Sequence, residues 1–195
     1  MQKGGLCGAM EGPSCPVLDR LQHGGTAHVG DHGPALVINS AIQVVTGGIM
    51  NAFIDDLVLS SMSFSNNDHT NTGILKLTAN DSSGSTTGWS VTVQSSPFTY
   101  SGANNGIGIP AANFSIVSAN APTAVIGQAI DLTRGPKVPP IGSSGSLNAA
   151  RTVLKADASF GLGIYNQNLN VNLLIRGGSA IGTYTAFLSV TTVPV

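Results

Sequence analysis

The chain has 195 residues, of which only 9% are charged, and its formal net charge is −1. Its 8 Lys and Arg residues are scattered singly and cannot neutralise a run of phosphates, which argues against a nucleic-acid partner. No apolar run approaches the roughly 20 residues that cross a bilayer, so we expect no membrane-spanning segment. A surface so poor in charge does little to repel a second copy, which leaves two alternatives: self-assembly, or an extracellular β-domain whose hydroxyl-rich faces are solvated.

Residues 1–34 are predicted to form an irregular N-terminal leader, because they show neither helical nor strand periodicity. Cys7 and Cys15 would be either a local disulfide or incidental thiols. No secretory signal can be recognised here, so either export is encoded upstream or the chain is not exported. Three histidines and a neighbouring Asp31 are the closest approach to a zinc site, but they lack the spacing of a compact knuckle and are alternatively solvated loop residues: His23, His28 and His32.

The segment 35–46 is predicted to be the first strand of a single domain that covers residues 35–195. It is apolar and β-branched, and Gly47-Gly48 ends it. Because it adjoins the leader, it is also the segment best placed to leave its own domain and pair with the sheet edge of a neighbour. Pairing within its own chain is the alternative. The apolar residues that would make the contact are Leu36, Val37, Ile38, Ile42, Val44 and Val45.

Residues 73–94 read as two strands around the polar turn 81–88, and we expect them to form a hairpin. In the second strand Trp89, Val91 and Val93 alternate with polar residues, the period-two pattern of a strand with one buried face. The only tryptophan of the chain is therefore expected to point inward as a core anchor.

The second half of the sequence contains a long loop and two further strands. Residues 119–147 form a Pro-punctuated excursion, predicted either to contact a ligand or partner or to cover a sheet edge. The final strand is predicted over 182–193, where Phe187 is an aromatic exception on a polar face. Residues 165–173 alternate apolar or inward residues with a row of amides that could bind water, sugar hydroxyls or another subunit: Asn166, Asn168, Asn170 and Asn172.

No segment shows a sustained helical stripe, so we predict an all-β fold, a Greek-key β-sandwich of the immunoglobulin-like or jelly-roll-like kind. Phosphate loops, HExxH, paired CxxC motifs and nucleophile elbows are absent from the sequence. We therefore expect neither an enzyme nor a bound cofactor. The alternative is a hydrolase in which Asp55, Asp81 and Asp157 converge in one cleft.

Two stretches carry a family resemblance. Asp81-Ser82-Ser83-Gly84 followed by the segment 88–93 (Gly-Trp-Ser-Val-Thr-Val), together with the ending 182–191 before Pro194, resembles the WxL-type surface domains of Gram-positive bacteria. Val91 stands where that family favours Leu, and Val190 stands at the position of its second tryptophan, so the similarity is to the wider WxL-like group. The resemblance covers residues 47–195 and implies a secreted, non-catalytic β-domain that associates with the cell wall or with other surface proteins.

These observations give two functional expectations. The first is a structural subunit of an extracellular bacterial assembly, pilus-like or surface-layer-like, in which the segment 35–46 completes the sheet of another copy. The second is a monomeric cell-wall-binding module that holds peptidoglycan or another glycan through the asparagine row or the Pro-rich loop.

Overall fold

A computed structural model describes residues 48–195, and every structural statement below concerns that part of the chain. It consists of strands and one short 3-10 helix, Ala111–Asn113, and no helix in it is long and apolar enough to cross a membrane. The strands are β1 (Met50–Ile54), β2 (His69–Asp81), β3 (Trp89–Ser95), β4 (Thr99–Ser101), β5 (Phe114–Ala119), β6 (Thr123–Gly127), β7 (Gly145–Ser146), β8 (Arg151–Ala156), β9 (Gly163–Ile175), β10 (Thr183–Thr185) and β11 (Leu188–Pro194).

The strands form a larger sheet, a smaller sheet and a two-stranded ribbon. The larger sheet has the order β1-β2-β9-β5-β7, and β6 also pairs with β9. Strand β9 is its centre: β2 pairs along its full length on one side, while β5 and β6 divide the other side between them. The smaller sheet has the order β11-β3-β8, and the ribbon joins β10 to β4. All the strand pairs are antiparallel.

The core lies between the larger and the smaller sheet, as expected for a β-sandwich, and the all-β prediction is confirmed. Alternate residues of each strand point inward, so the period-two pattern of the sequence defines the buried set. The alternation predicted for residues 165–173 is confirmed, since its inward residues are buried and its asparagines are not. The buried set comprises Leu75, Leu77, Ala79, Phe114, Ile116, Tyr165, Leu169, Val171 and Leu173 from the larger sheet, Trp89, Val91, Val93, Val153, Leu154 and Ala156 from the smaller one, and Ile109 and Leu147 from the segments between strands.

The hairpin predicted over residues 73–94 is wrong. Strand β2 belongs to the larger sheet and β3 to the smaller one, so the loop between them crosses the sandwich instead of reversing within a sheet. Both strands place an apolar face toward the same core, and this face looks alike in the sequence whether two strands pair edge to edge or lie face to face. Asp81 organises the start of the loop, because its Oδ1 accepts hydrogen bonds from the backbone N–H and the hydroxyl of Ser83.

The final strand predicted over residues 182–193 is interrupted. Its first part, β10, pairs with β4 in the ribbon, whereas β11 pairs with β3 in the smaller sheet. The change occurs at Phe187, whose N–H donates to Ser96 Oγ and whose side chain is 82% exposed. The aromatic exception in the alternating pattern therefore marks the point where the chain leaves one sheet for another.

The excursion predicted over residues 119–147 is more ordered than expected, because it contains β6 and the two-residue strand β7. Its middle part covers a sheet edge, which was one of the two predicted roles. Lys137 exchanges two backbone hydrogen bonds with Lys155 of β8, and Asp157 N–H donates to the Arg134 carbonyl. Residues 131–137 thus occupy the outer edge of β8.

Candidate functional site: the outer face and the free edge of the larger sheet

The outer surface of the larger sheet carries the predicted asparagine row on its central strand. We call this surface, formed by the outward residues of β2 and β9, the asparagine face. Lys76 is the only charged residue among them, and it lies opposite Asn168. Facing pairs across the two strands are Thr72 with Asn172, Ile74 with Asn170, Lys76 with Asn168, and Thr78 with Asn166.

Two of the four asparagines are already engaged by neighbouring side chains. Asn166 Oδ1 accepts a hydrogen bond of 3.0 Å from the Thr78 hydroxyl. Asn170 Nδ2 donates to Ser118 Oγ at 2.9 Å and to Asn120 Oδ1 at 3.2 Å. These contacts fix the orientation of both amides and tie β9 to β2 on one side and to the end of β5 on the other.

Asn168 and Asn172 make no side-chain hydrogen bond with any of residues 48–195, so their amides are the ones available to a ligand or a second subunit. Asn172 borders a shallow depression of about 530 Å³. Ile74 and Val117 flank this depression and are 50% and 53% exposed. The surface offers neutral hydrogen-bonding groups beside apolar side chains, which suits an uncharged partner better than an ionic one.

Strand β6 is a free edge of the larger sheet. It pairs with β9 on one side, and none of residues 48–195 pairs with its other side. All five of its residues are exposed, including Val125 and Ile126. A strand with one unpaired row of N–H and C=O groups is a template for another strand, and β6 carries no charged residue that would block it. The register shift between Ala124 and Ile126 is the one irregularity along this edge.

The Pro-rich loop that was predicted as a contact site holds both of its cations in internal contacts. Lys137 Nζ lies 3.1 Å from Asp157 Oδ2, and the Arg134 guanidinium stacks 5.4 Å from the centre of the Phe160 ring. The backbone N–H groups of Arg134 and Thr133 donate to Asp131, and they hold the pKa of that carboxyl below its usual value. The loop is therefore organised by its own residues.

A second depression, of about 330 Å³, lies between the loop 105–110 and the turn 176–180. Arg176 borders it and forms an exposed ion pair of 2.6 Å with Asp68. A backbone hydrogen bond from Gly177 and the Arg176 side chain lower the pKa of Asp68. The turn is thereby fastened to the segment before β2.

The aspartates predicted as an alternative catalytic set lie at different places in the fold. Asp55 directly follows β1, Asp81 is buried at the end of β2, and Asp157 follows β8 and pairs with two lysines. Among residues 48–195 no group of three His, Cys, Asp or Glu residues is arranged to hold a metal ion. Trp89, the predicted core anchor, is 2% exposed, and its ring centre lies 6.5 Å from that of Tyr165.

Several predicted site residues lie outside the described part of the chain. They are the histidines His23, His28 and His32, the cysteines Cys7 and Cys15, and the assembly segment 35–46. Sequence reasoning missed β6, although Thr-Ala-Val-Ile between Pro122 and Gly127 is a short β-branched run with turn residues at both ends. It also missed the Asp68–Arg176 pair, for which the sequence gives no local signal because the two residues are far apart along the chain.

Comparison with known proteins found no matching family model, no matching curated protein and no matching solved structure.

Proposed function

We propose that this chain is a non-catalytic structural protein of the bacterial surface, a subunit of a pilus-like or surface assembly built by strand addition between β-domains. The observation that carries the proposal is the free edge at β6, a β-branched, uncharged strand with one neighbour among residues 48–195. The resemblance to WxL-like surface domains supports the extracellular location. The low charge of the chain supports self-association, since little electrostatic repulsion opposes it.

The polar groups of the described domain also support a non-catalytic role. Asp157 is held by Lys137 and Lys155, and Asp68 is held by Arg176. His69, the only histidine after residue 34, begins β2 and has no acidic partner within salt-bridge distance among residues 48–195. A general base beside a nucleophile is what hydrolytic chemistry needs, whereas the two aspartates are committed to structural ion pairs.

Electron microscopy of the purified protein tests the assembly. We expect filaments or sheets from the full chain, and soluble monomers after deletion of the residues before Gly47. Circular dichroism should show that the truncated protein keeps its β-structure, so that loss of polymer is not loss of fold. A monodisperse full-length monomer at high concentration would contradict the proposal.

The second candidate function is a monomeric cell-wall-binding module, favoured by the unengaged amides of Asn168 and Asn172 beside exposed Ile74. Sedimentation with insoluble peptidoglycan distinguishes it from the first. If the protein pellets with wall material without forming a polymer, the binding module is preferred. Changing Asn168 and Asn172 to Ala should then weaken retention more than changing Asn166, whose amide is bound by Thr78.

A further inference from the structure

The acceptor and the donor of the proposed strand addition can be assigned from the edges of the sandwich. The two sheets are bounded by β1, β6 and β7 in the larger one and by β8 and β11 in the smaller one. The edge of β8 is covered by the backbone of Lys137, and β1 lies beside β11 at the opposite side of the sandwich. Strand β7 has only two residues, and its Ser146 carbonyl accepts a hydrogen bond from Arg151 Nε. The edge of β6 has neither kind of cover from residues 48–195. An incoming strand can therefore form main-chain hydrogen bonds at β6 without displacing a described segment.

The chemistry of β6 matches that of the segment before β1. No Asp, Glu, Lys, Arg or His occurs from Ala35 to Ile54, and none occurs in β6. In the segment, Ile42 and Val44 alternate with Gln43, so one face would lie beside the exposed side chain of Ile126. Burial of apolar side chains would then add to the hydrogen bonds of the new strand pair.

The number of residues between the segment 42–45 and Gly48 determines whether this segment could pair with β6 of its own copy or only with β6 of another. The described residues begin at Gly48, whose N–H donates to the Ser82 carbonyl at the end of the sheet where Asp81, Gly163 and Gly127 are aligned. A strand added to β6 lies four strand spacings from β1, or about 19 Å. From Val45 to Gly48 a fully extended chain reaches at most about 11 Å. From Gln43 the reach is at most about 18 Å, so three of the four residues 42–45 fall short. A strand formed by residues 42–45 therefore cannot pair with the β6 edge of its own copy.

We propose, on the basis of the assembly proposed above, that residues 42–45 of one copy pair with the free edge of β6 in a neighbouring copy. The donor segment precedes β1, and β1 and the acceptor β6 lie at opposite sides of one sheet. Each copy that receives a strand at β6 can therefore still offer its own. The contact is heterologous and leaves a donor at one end and an acceptor at the other, so it extends from copy to copy into a filament unless the rotation between copies closes a ring.

Cysteine cross-linking of the full chain tests this assignment. With Cys7 and Cys15 changed to Ser, the pair Val44→Cys and Val125→Cys should give a ladder of dimers and higher oligomers on a non-reducing gel after oxidation. The pair Val44→Cys and Phe53→Cys, which reports pairing with β1 of the same chain, should give no rapidly migrating closed monomer. A closed monomer from either pair, or no ladder from the first, would overturn the assignment.

A charge on the edge provides an independent test. Ile126→Lys should abolish the filaments and the ladder, whereas Ile141→Lys, at an exposed loop position outside the strands, should leave both. Circular dichroism of each variant shows whether the fold is kept. Filaments that survive Ile126→Lys and give no ladder would mean that the acceptor is wrong while the assembly stands. Absence of filaments in the unmodified protein would overturn the assembly and this inference together.

Discussion

Trp89 contributes to the fold by packing and not by hydrogen bonding. Its indole Nε1 is buried and has no hydrogen-bond partner among residues 48–195. The ring lies against Tyr165 of the opposite sheet, whose own hydroxyl donates to the carbonyls of Gln128 and Leu162. Burial raises the pKa of the Tyr165 hydroxyl, and the nearby Asp81 carboxylate adds to that rise. The two rings therefore join the sheets by an apolar contact, and of the two residues only Tyr165 makes side-chain hydrogen bonds.

Substitutions of Trp89 separate the contribution of its packing from that of a hydrogen bond of Nε1. We expect Trp89→Ala to lower the free energy of unfolding by about 3–5 kcal/mol, because it leaves a large cavity. Trp89→Phe should cost clearly less, since no hydrogen bond of Nε1 is lost. Urea unfolding followed by circular dichroism measures both values. Equal losses in the two variants would mean that Nε1 makes a contact that the packing does not account for.

Asp68 fastens the turn after β9 through its charge. Its pKa is lowered from 3.8 in the folded protein, first by the Gly177 N–H and then by Arg176. Because the folded-state pKa is the lower one, the stabilisation is complete above the unfolded value. This stabilisation is lost as the pH falls through the pKa that Asp68 has in the folded protein.

The variant Asp68→Asn removes the charge while keeping an acceptor for Gly177. We expect it to be less stable than the unmodified protein at pH 7, and the difference to disappear as the pH is lowered below the depressed pKa of Asp68. Thermal unfolding measured between pH 7 and pH 2 gives the two curves. A difference that is constant across this range would show that the charge of Asp68 does not contribute.

At the scale of the elements, the sequence predicted the faces of the strands but not their partners. Alternation placed Tyr165 and Leu169 inward and Asn168 outward, because burial on one face imposes a period of two. Assignment of β2 and β3 to different sheets depends on contacts between distant segments, which a local pattern does not record. The open edge at β6 follows from the same distant contacts, so it could be recognised only in the folded chain.

The loop from β8 to β9 is restricted by the tryptophan that it covers. Gly161 has a φ of 86°, and a Cβ there would lie 2.6 Å from the Ala156 Cβ and 2.9 Å from Trp89 Nε1. Gly84, in the loop between β2 and β3, has a φ of 68° but no atom within 4 Å of the same position. Both glycines have a left-handed backbone conformation, but only at Gly161 would a side chain collide with neighbouring atoms.

Alanine substitution at these two positions measures strain and crowding separately. Gly84→Ala should cost about 1–2 kcal/mol of unfolding free energy from the backbone alone. Gly161→Ala should cost more by about 1–3 kcal/mol, because the core must also accommodate the methyl group. Chemical denaturation provides the comparison. A Gly161→Ala variant no less stable than Gly84→Ala would show that the loop can move away from Trp89.

At the scale of the whole molecule, the scarcity of charge determines how an assembly should respond to salt. The proposed contact between β6 and residues 42–45 contains no charged group, and its components are main-chain hydrogen bonds and apolar side chains. Salt screens interactions between charges, with a screening length of about 3 Å at 1 M. Salt should therefore not weaken a contact that contains no charged groups.

We therefore expect the polymer to persist from low salt to 1 M NaCl. Sedimentation of the protein across this range measures the fraction assembled. A polymer held by ion pairs would instead dissociate as the salt concentration rises. Progressive release of monomer with rising salt would contradict an uncharged strand-addition contact and would point to the few charged residues of the surface.

The central position of β9 has a consequence for how the chain acquires its structure. Strand β9 is the shared neighbour of β2, β5 and β6, yet it follows them in sequence, and the pair Thr78 and Asn166 is separated by 88 residues. Until β9 has been synthesised, these three strands lack their common partner. Closing such long loops slows folding, so we expect a rate in the millisecond-to-second range of all-β domains. Until β9 is available, the apolar residues of β2 and β5 that it would help to bury, such as Leu75 and Ile116, remain without their central partner.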